Sequence, residues 1–421
     1  MDWSTLAATS LACLSAGYAV AAAWLSRRTL AAHPAGNVAP GDPCQRPVSV
    51  LKPLCGGEPR LYENLASLCR QQHPAYQLVF GVRAADDPAI AVVERLRADF
   101  PDCDIALAVD PCVHGSNLKV SNLINLLPLA RHPWLVVADS DIAVAPDYLA
   151  RVTAPLADAG VGVVTCLYRG RRVGGGLWSR LGVQFIDAWF VPSVRIAHAG
   201  GSRRFAFGAT LALRREALDA IGSFDVLSNR LADDFWLGEL TRRKGLATVL
   251  SDVVVSTDVT ESHLGALWSH ELRWMRTIRS LDPLGFAFIF ITFTWPMLAL
   301  ASWLAPTPVV LGAALAGLLA RSLLARSVGA MLLAPLRDTL LLAEWAAALS
   351  GSYVSWRGQV LPVSERPERA RPAGSRTHQH APAPAGAGNA GMAPHALPLT
   401  AKKTDDGESD RQTSISTNEM A

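Results

Sequence analysis

The stretch "LVVADSD" (Leu135–Asp141) sets four apolar residues against two carboxylates that flank a serine. A short uncharged run of this kind fits a strand buried on both faces, as in a parallel sheet, where continuous apolar sequence replaces strict alternation. Asp139 and Asp141 then fall just beyond the strand's carboxyl end. Like charges one residue apart repel, and a hard divalent cation between them turns that repulsion into affinity. The same pattern also fits a plain turn in which one Asp caps the next helix.

Working outward, "VSVLKPLCGG" from Val48, "YQLVFGV" (Tyr76–Val82), "DIALAVD" (Asp104–Asp110) and "VGVVTCLY" (Val161–Tyr168) are further Val/Leu-rich strand candidates. Helical patterns lie between them at Leu61–Gln71, Pro88–Asp99, Asn117–Leu127 and Asp147–Ala157. Apolar strands alternating with amphipathic helices predict an α/β domain with a mostly parallel sheet covered on both faces. In such sheets ligands bind beyond the carboxyl ends of the strands, which is where the "DSD" pair is delivered.

The rest of the chain is unusually apolar. Half of its 421 residues are hydrophobic and the mean hydropathy is +0.22. A net charge of only +3 gives no global field for nucleic acid. Seven cysteines form no CxxC pair, which favours reduced, unpaired thiols over a disulfide or zinc framework. Thr5–Leu25 carries no charge and is followed by Arg27 and Arg28. A cleaved signal peptide puts its positive charges first, so residues 1–28 read as an uncleaved transmembrane anchor with all that follows in the cytoplasm. From Pro283 the character changes again: 283–305 is uncharged and long enough to span, 307–335 is interrupted by Arg321 and Arg326, and 331–354 by Arg337, Asp338 and Glu344. Two or three membrane helices are expected within 283–360, after a catalytic domain at 45–282. Residues 365–421, rich in Pro, Ala, Gly and Ser, have too few large apolar residues to fold and are expected to be a disordered tail. The basic run Arg366–Pro372 suggests that this tail is cytoplasmic, which requires an even number of crossings after the catalytic domain.

Three more clusters accompany "DSD". "RAADDPAI" supplies Asp86 and Asp87 after a strand, though Asp before Pro also reads as a helix start. "LADDFWLGEL" places Asp233 and Asp234 ahead of an aromatic-rich helix, as caps or, beside a pocket, with one of them as general base for an acceptor hydroxyl. "HELRWMR" (His270–Arg276) puts His270, Arg273 and Trp274 on one helix face: a phosphate-binding guanidinium beside a flat wall, or a basic-aromatic belt at a bilayer surface.

The order "ADDP", "DSD", "DDFW", "HELRW", with an apolar helix before and more after, resembles the membrane-bound family 2 and family 21 glycosyltransferases. "VSVLKPLCGGEP", "GVRAADDPAI", "GSNLKVSNL" and "FAFGATLALRREAL" are similar to the ceramide glucosyltransferase group and its bacterial relatives of hopanoid biosynthesis, over roughly 45–360. The resemblance implies a GT-A-type domain, Rossmann-like with a mostly parallel sheet, acting as an inverting, metal-dependent transferase in the bacterial inner membrane. It implies that Asp86 or Asp87 contacts the nucleotide and that Asp139 and Asp141 hold Mg²⁺ or Mn²⁺ on the diphosphate. Asp234 is then the base, Arg273 and Trp274 close over the diphosphate and acceptor, and Lys119 and Asn122 help to hold the UDP-sugar. His270 stands where the pattern has Gln or Arg, which leaves its role open. The implied partners are a UDP-sugar, with N-acetylglucosamine as the sugar, and a membrane lipid, the hopanoid bacteriohopanetetrol. Glucose onto ceramide is the alternative.

"RFAFGATLALRREAL" (Arg204–Leu218) reads as a packed strand and turn or, by the resemblance, as the acceptor side of the pocket. Gly174–Gly176 reads as a surface loop rather than a lid, and His114 and His263 as structural. A membrane-anchored binding protein whose acidic pairs are only caps is the rival from another class. It predicts no sugar transfer. A transporter would leave the polar half of the chain without a task, and a processive polysaccharide synthase would need a longer helical bundle.

Overall fold

A computed structural model describes residues 2–28, 30, 46–356 and 359–363. The linker expected at 31–47 lies mostly outside these residues, and the tail at 365–421 entirely so.

The chain opens with α1 (Trp3–Ser26), capped by the Asp2 carboxylate, which accepts the Thr5 amide at 2.9 Å. Then follow β1 (Val48–Pro53), α2 (Leu61–Cys69), β2 (Tyr76–Val82), α3 (Ala89–Asp99), β3 (Ile105–Val109), α4 (Leu118–Leu126), β4 (Trp134–Val137), β5 (Ile142–Ala143) and α5 (Tyr148–Thr153). The second half of the sheet is β6 (Val161–Arg172), β7 (Leu211–Arg214) and β8 (Ala247–Val259). Between β6 and β7 come α6 (Leu177–Phe185), a π-helical turn at Ile186–Phe190 and α7 (Val191–Ala199); α8 (Arg215–Ala220) and α9 (Asp233–Arg243) follow β7.

The eight strands run in the order β3-β2-β1-β4-β7-β6-β8-β5. β1 pairs in parallel with both β2 and β4, β2 with β3, and β6 with β8, whereas β7 is antiparallel to β4 and β6 and β5 to β8. The sheet is thus mixed and mostly parallel. Its apolar strands feed two cores. Val136 packs into one face and Leu135 and Val137 into the other, so alternation is present in space although both faces demand apolar residues.

The predicted strands and helices match the observed ones to within a few residues, with two instructive exceptions. β6 continues to Arg172, past the predicted Tyr168, because β8 pairs with it along its whole length. The helix from Tyr148 stops at Thr153 and gives way to a 3-10 turn at Ala154–Ala157, where Pro155 cannot supply the helical N–H.

Beyond the sheet lie α10 (Leu264–Leu281), α11 (Pro283–Phe288), α12 (Thr294–Leu304), α13 (Pro308–Ser322), α14 (Val328–Ala348) and a hairpin of β9 (Tyr353–Trp356) and β10 (Gln359–Pro362). Among the described residues α1 is the one helix long and apolar enough to cross a membrane. The uncharged segment 283–305 is not one straight helix: it bends by 71° between Thr292 and Thr294. Pro296 explains the break, since a missing N–H is tolerated only in a helix's first turn, and α12 therefore begins just before it. α13 packs against α1 and α12, with Ala8, Ala12, Ala16, Leu298, Ala301 and Ala314 in their shared core. The charges inside α14 are buried and paired: Asp338 with Arg321 at 2.7 Å, and Arg337 with Glu344 at 3.0 Å.

Candidate active site

The chain leaves β1, winds outward through β2 and β3, and returns on the other side of β1 as β4. The crevice at the carboxyl ends of β1 and β4 is therefore the point where strand order reverses, the expected ligand position in an open α/β sheet. A cavity of about 560 Å³ opens there. "LVVADSD" delivers Asp139 and Asp141 into it, α9 contributes Asp233 and Asp234, and α10 lines it with His270, Arg273 and Trp274.

Asp141 is anchored at two atoms: its Oδ2 accepts the Thr257 hydroxyl at 2.8 Å and its backbone carbonyl accepts the Asp258 amide at 3.1 Å. Burial, reinforced by Asp139, pushes its carboxyl up to about 7. Asp139 meets Lys119 Nζ at 2.6 Å, and the same ammonium lies 3.6 Å from Asp233. Burial works against the charge on Lys119, but Asp139 and Asp233 outweigh it and hold the ammonium protonated, above the usual lysine range.

Asp234 Oδ2 accepts the Gly208 amide at 2.8 Å and Oδ1 the Phe235 amide at 2.7 Å. Burial, then Asp233, pushes its carboxyl up to about 6. Asp233 and Asp234 occupy the first turn of α9, where a helix favours negative charge. Gly208 marks the convergence. A methyl group there would lie 3.1 Å from Lys119 Nζ, 3.2 Å from Asp139 Oδ2 and 3.4 Å from Asp234 Oδ2. The backbone approaches three charged side-chain ends at one point, where an added methyl group would fit only if they shift by a few tenths of an ångström.

The remaining predicted residues divide. Asp87 lines the cavity and accepts the Gly56 amide at 3.0 and 3.1 Å and the Ala89 amide at 2.9 Å, so it joins the β1 loop to the start of α3. Asp86 is exposed, and of this pair only Asp87 borders the cavity among the described residues. Asn122 borders the cavity, but its amide donates to the Gly81 carbonyl at 2.8 Å, tying α4 to β2. His270 Nδ1 lies 2.6 Å from Glu261 Oε1, and its ring packs edge-on to Trp274 at 4.6 Å. Trp274 leans on Phe185 at 5.2 Å. "FAFGATLALRREAL" is both strand and pocket wall, with Phe207 and Gly208 lining the cavity before β7 begins.

Sequence reading missed Lys52, Glu58, Tyr168 and Glu261. Lys52 is fully buried in β1 with no hydrogen-bond partner at Nζ among the described residues; burial lowers it to about 8 against the pull of Asp141, Asp139 and Glu58. A lysine inside the apolar run "VSVLKP" was the available signal. Glu58 accepts the Ser140 hydroxyl at 2.8 Å, beside the two aspartates. Tyr168 stacks on Phe190 at 5.0 Å, and burial pushes its phenol far above the usual range, leaving it a proton donor.

Among the described residues no group of three or more His, Cys, Asp or Glu side chains is arranged as a metal site. Asp139 and Asp141 are two hard oxygen donors, the latter raised by burial and then by Asp139, and such a pair fits Mg²⁺ or Mn²⁺ when a ligand's oxygens and water complete the shell.

The deciding comparison is with protein families: residues 7–368 match glycosyl transferase family 21. The chain belongs to that family. Relatives of similar sequence include ceramide glucosyltransferases 3 and 1 of Caenorhabditis elegans, each 27% identical, over 241 and 215 residues. These alignments cover 56% and 50% of the chain and 51% and 45% of the relatives, so the chain spans about half the length of the curated relatives it matches. A mannosyltransferase from Pyrobaculum calidifontis, solved with GDP-Man and Mn²⁺, superposes with a TM-score of 0.50 at 21% identity, covering 81% of this chain and 97% of that one. This likeness carries the GT-A fold.

Proposed function

We propose that this family 21 protein transfers a sugar from a UDP-sugar to a hydroxyl of a membrane lipid in one inverting displacement, using Mg²⁺ or Mn²⁺. The observation that carries the reading is the meeting of Lys119, Asp139 and Asp234 around Gly208, in a cavity that Arg273 and Trp274 also line.

Asp139 and Asp141 would hold the cation, which when bound neutralises charge on the departing diphosphate. Asp234, with a carboxyl raised toward neutrality, is matched to receive the acceptor hydroxyl's proton at Oδ1 or Oδ2. The Gly208 and Phe235 amides orient that carboxylate. Lys119 and Arg273 bring positive charge to the diphosphate and Trp274 supplies a wall; Asp87 borders the nucleotide end. Protonated Tyr168 can donate a hydrogen bond into the cavity. Barrier lowering comes from base assistance, worth about 10²–10⁴-fold, and from groups already in place around the developing charge.

A lipid acceptor gives the apolar elements a task. In this reading residues 45–282 carry the chemistry, α1 anchors them, and the helices of 283–360 hold the pocket at the headgroup layer of a bacterial inner membrane. Arg27 and Arg28 after α1 favour a cytoplasmic catalytic face. Bacteriohopanetetrol as acceptor with N-acetylglucosamine as the sugar follows from the sequence resemblance. Glucose onto ceramide is the second reading, favoured by the ceramide glucosyltransferase relatives.

The test is to purify the full chain in detergent with Mn²⁺ and offer labelled UDP-N-acetylglucosamine or UDP-glucose with bacteriohopanetetrol or ceramide. Glycolipid is expected from one pair and its loss on chelation. No product from any pair, or turnover that survives chelator and the Asp139→Ala change, rejects the reading in favour of a binding protein or a metal-free mechanism.

A further inference from the structure

The side chain of Arg337 on α14 is fully buried, yet it reaches the wall of the cavity. Its Nη1 donates to Glu271 Oε1 at 3.0 Å, and its Nη2 lies 2.8 Å from Glu271 Oε2 and 3.0 Å from Glu344 Oε2. Glu271 lines the cavity and sits on α10 between His270 and Arg273. The same guanidinium lies over the Phe185 ring at 5.7 Å, and Phe185 packs on Trp274 at 5.2 Å. A weaker contact at 3.4 Å runs to the Leu181 carbonyl of α6. Two separate routes, one ionic and one aromatic, thus lead from one side chain to the helix bearing His270, Arg273 and Trp274.

We propose that Arg337 is a positioning residue for the transfer reaction, fixing α10 over the pocket through Glu271 and Phe185 so that the C-terminal apolar helices set the placement of Arg273 and Trp274. The inference rests on the reading of the pocket proposed above.

Charge and shape support this role. A single guanidinium faces two carboxylates in a site with no solvent exposure, an arrangement that is costly if it carries net charge. Burial pushes the Glu271 carboxyl well above the usual range despite Arg337, with Glu344 adding to the rise. That rise relieves the excess negative charge of two carboxylates set on one guanidinium. The planar fork matters because it serves Glu271 and Glu344 while its carbon stays over the Phe185 ring; a lysine offers a point charge and no plane.

The test uses the full chain in detergent with Mn²⁺ and whichever of UDP-N-acetylglucosamine or UDP-glucose the parent transfers. Donor-binding sites are counted by calorimetric titration and kcat is expressed per site, which divides out unfolded protein. Arg337→Met and Arg337→Lys are expected to keep the donor KM within about twofold while kcat per site falls about tenfold or more. Combining Glu271→Ala with Arg337→Met is expected to lower kcat no further than the worse single change, because both cut one link. Parental kcat per site in Arg337→Lys, or additive losses in the double variant, overturns the proposal. If Arg337→Met binds no donor, Arg337→Lys and Glu344→Gln decide by the same criterion. A parent that glycosylates no lipid instead overturns the reading of the pocket, an outcome distinct from an active parent with indifferent Arg337 variants.

Discussion

The acidic pocket at the sheet edge and the ion pairs among α10, α13 and α14 both bury charge, but they treat it differently. In the helical cluster Arg321 binds both oxygens of Asp338, with Nε at 3.2 and 3.1 Å, and the Trp295 amide adds a third donor at 3.3 Å. Arg337 likewise meets Glu271 and Glu344. In the pocket the hydrogen bonds of Asp141 and Asp234 come from a hydroxyl and backbone amides, and both carboxyls are raised. Charge matched inside the chain holds helices together. Charge left partly unmatched beside an open cavity is poised for a charge that arrives with a ligand.

The comparison can be broken by exchanging the expected penalties. Asp234→Asn should lower kcat about 10²–10⁴-fold with little loss of thermal stability, since it removes a charge that burial already disfavours; a variant that turns over like the parent removes Asp234 from the role of base. Asp338→Asn should do the opposite, lowering the unfolding free energy by about 3–5 kcal/mol through a stranded Arg321 while kcat per folded molecule holds. Thermal melts in detergent read the first quantity and initial rates the second.

Smaller effects sharpen the picture. With Asp234 raised to about 6, the ionised base is lost as pH falls, so kcat/KM should drop about tenfold per pH unit below that value and level off above it. A profile that is flat through this window assigns the base elsewhere. Gly208→Ala puts a methyl group against Lys119, Asp139 and Asp234 and should cost on the order of tenfold in rate, ~1.4 kcal/mol; unchanged kinetics would contradict the convergence. The smallest contrast is Asp87→Ala, expected to cost about 1 kcal/mol through the lost Gly56 and Ala89 contacts, against Asp86→Ala within about 0.5 kcal/mol. Equal losses in the two melts would erase the distinction between them.

How much was legible beforehand differs by element. β1, β2 and β4 were readable because burial on both sheet faces writes uninterrupted apolar runs into the sequence. Asp139, Asp141 and Asp234 were readable because they follow or begin such elements. Lys52 carried one signal, a charge inside an apolar run, whereas Tyr168 and Glu261 carried none, since each lies inside or after a strand and gains its meaning from neighbours distant in sequence. The bend at Thr292–Thr294 had a local signal in Pro296, masked by the absence of any charge across 283–305. Asp86 and Asp87 could not be separated by spacing, because which of two adjacent side chains turns inward depends on the loop's backbone.

By itself the sequence determined the α/β alternation, the placement of acidic residues at strand and helix ends, and the apolar character of both termini, because period and hydrophobicity are local properties. Only the tertiary structure decided that Lys119, Asp139 and Asp234 meet at Gly208 and that Arg337 reaches Glu271 across 66 residues of chain. Such meetings depend on strand order and helix packing, where small differences in many nonlocal contacts choose one arrangement and no short stretch of sequence records the choice.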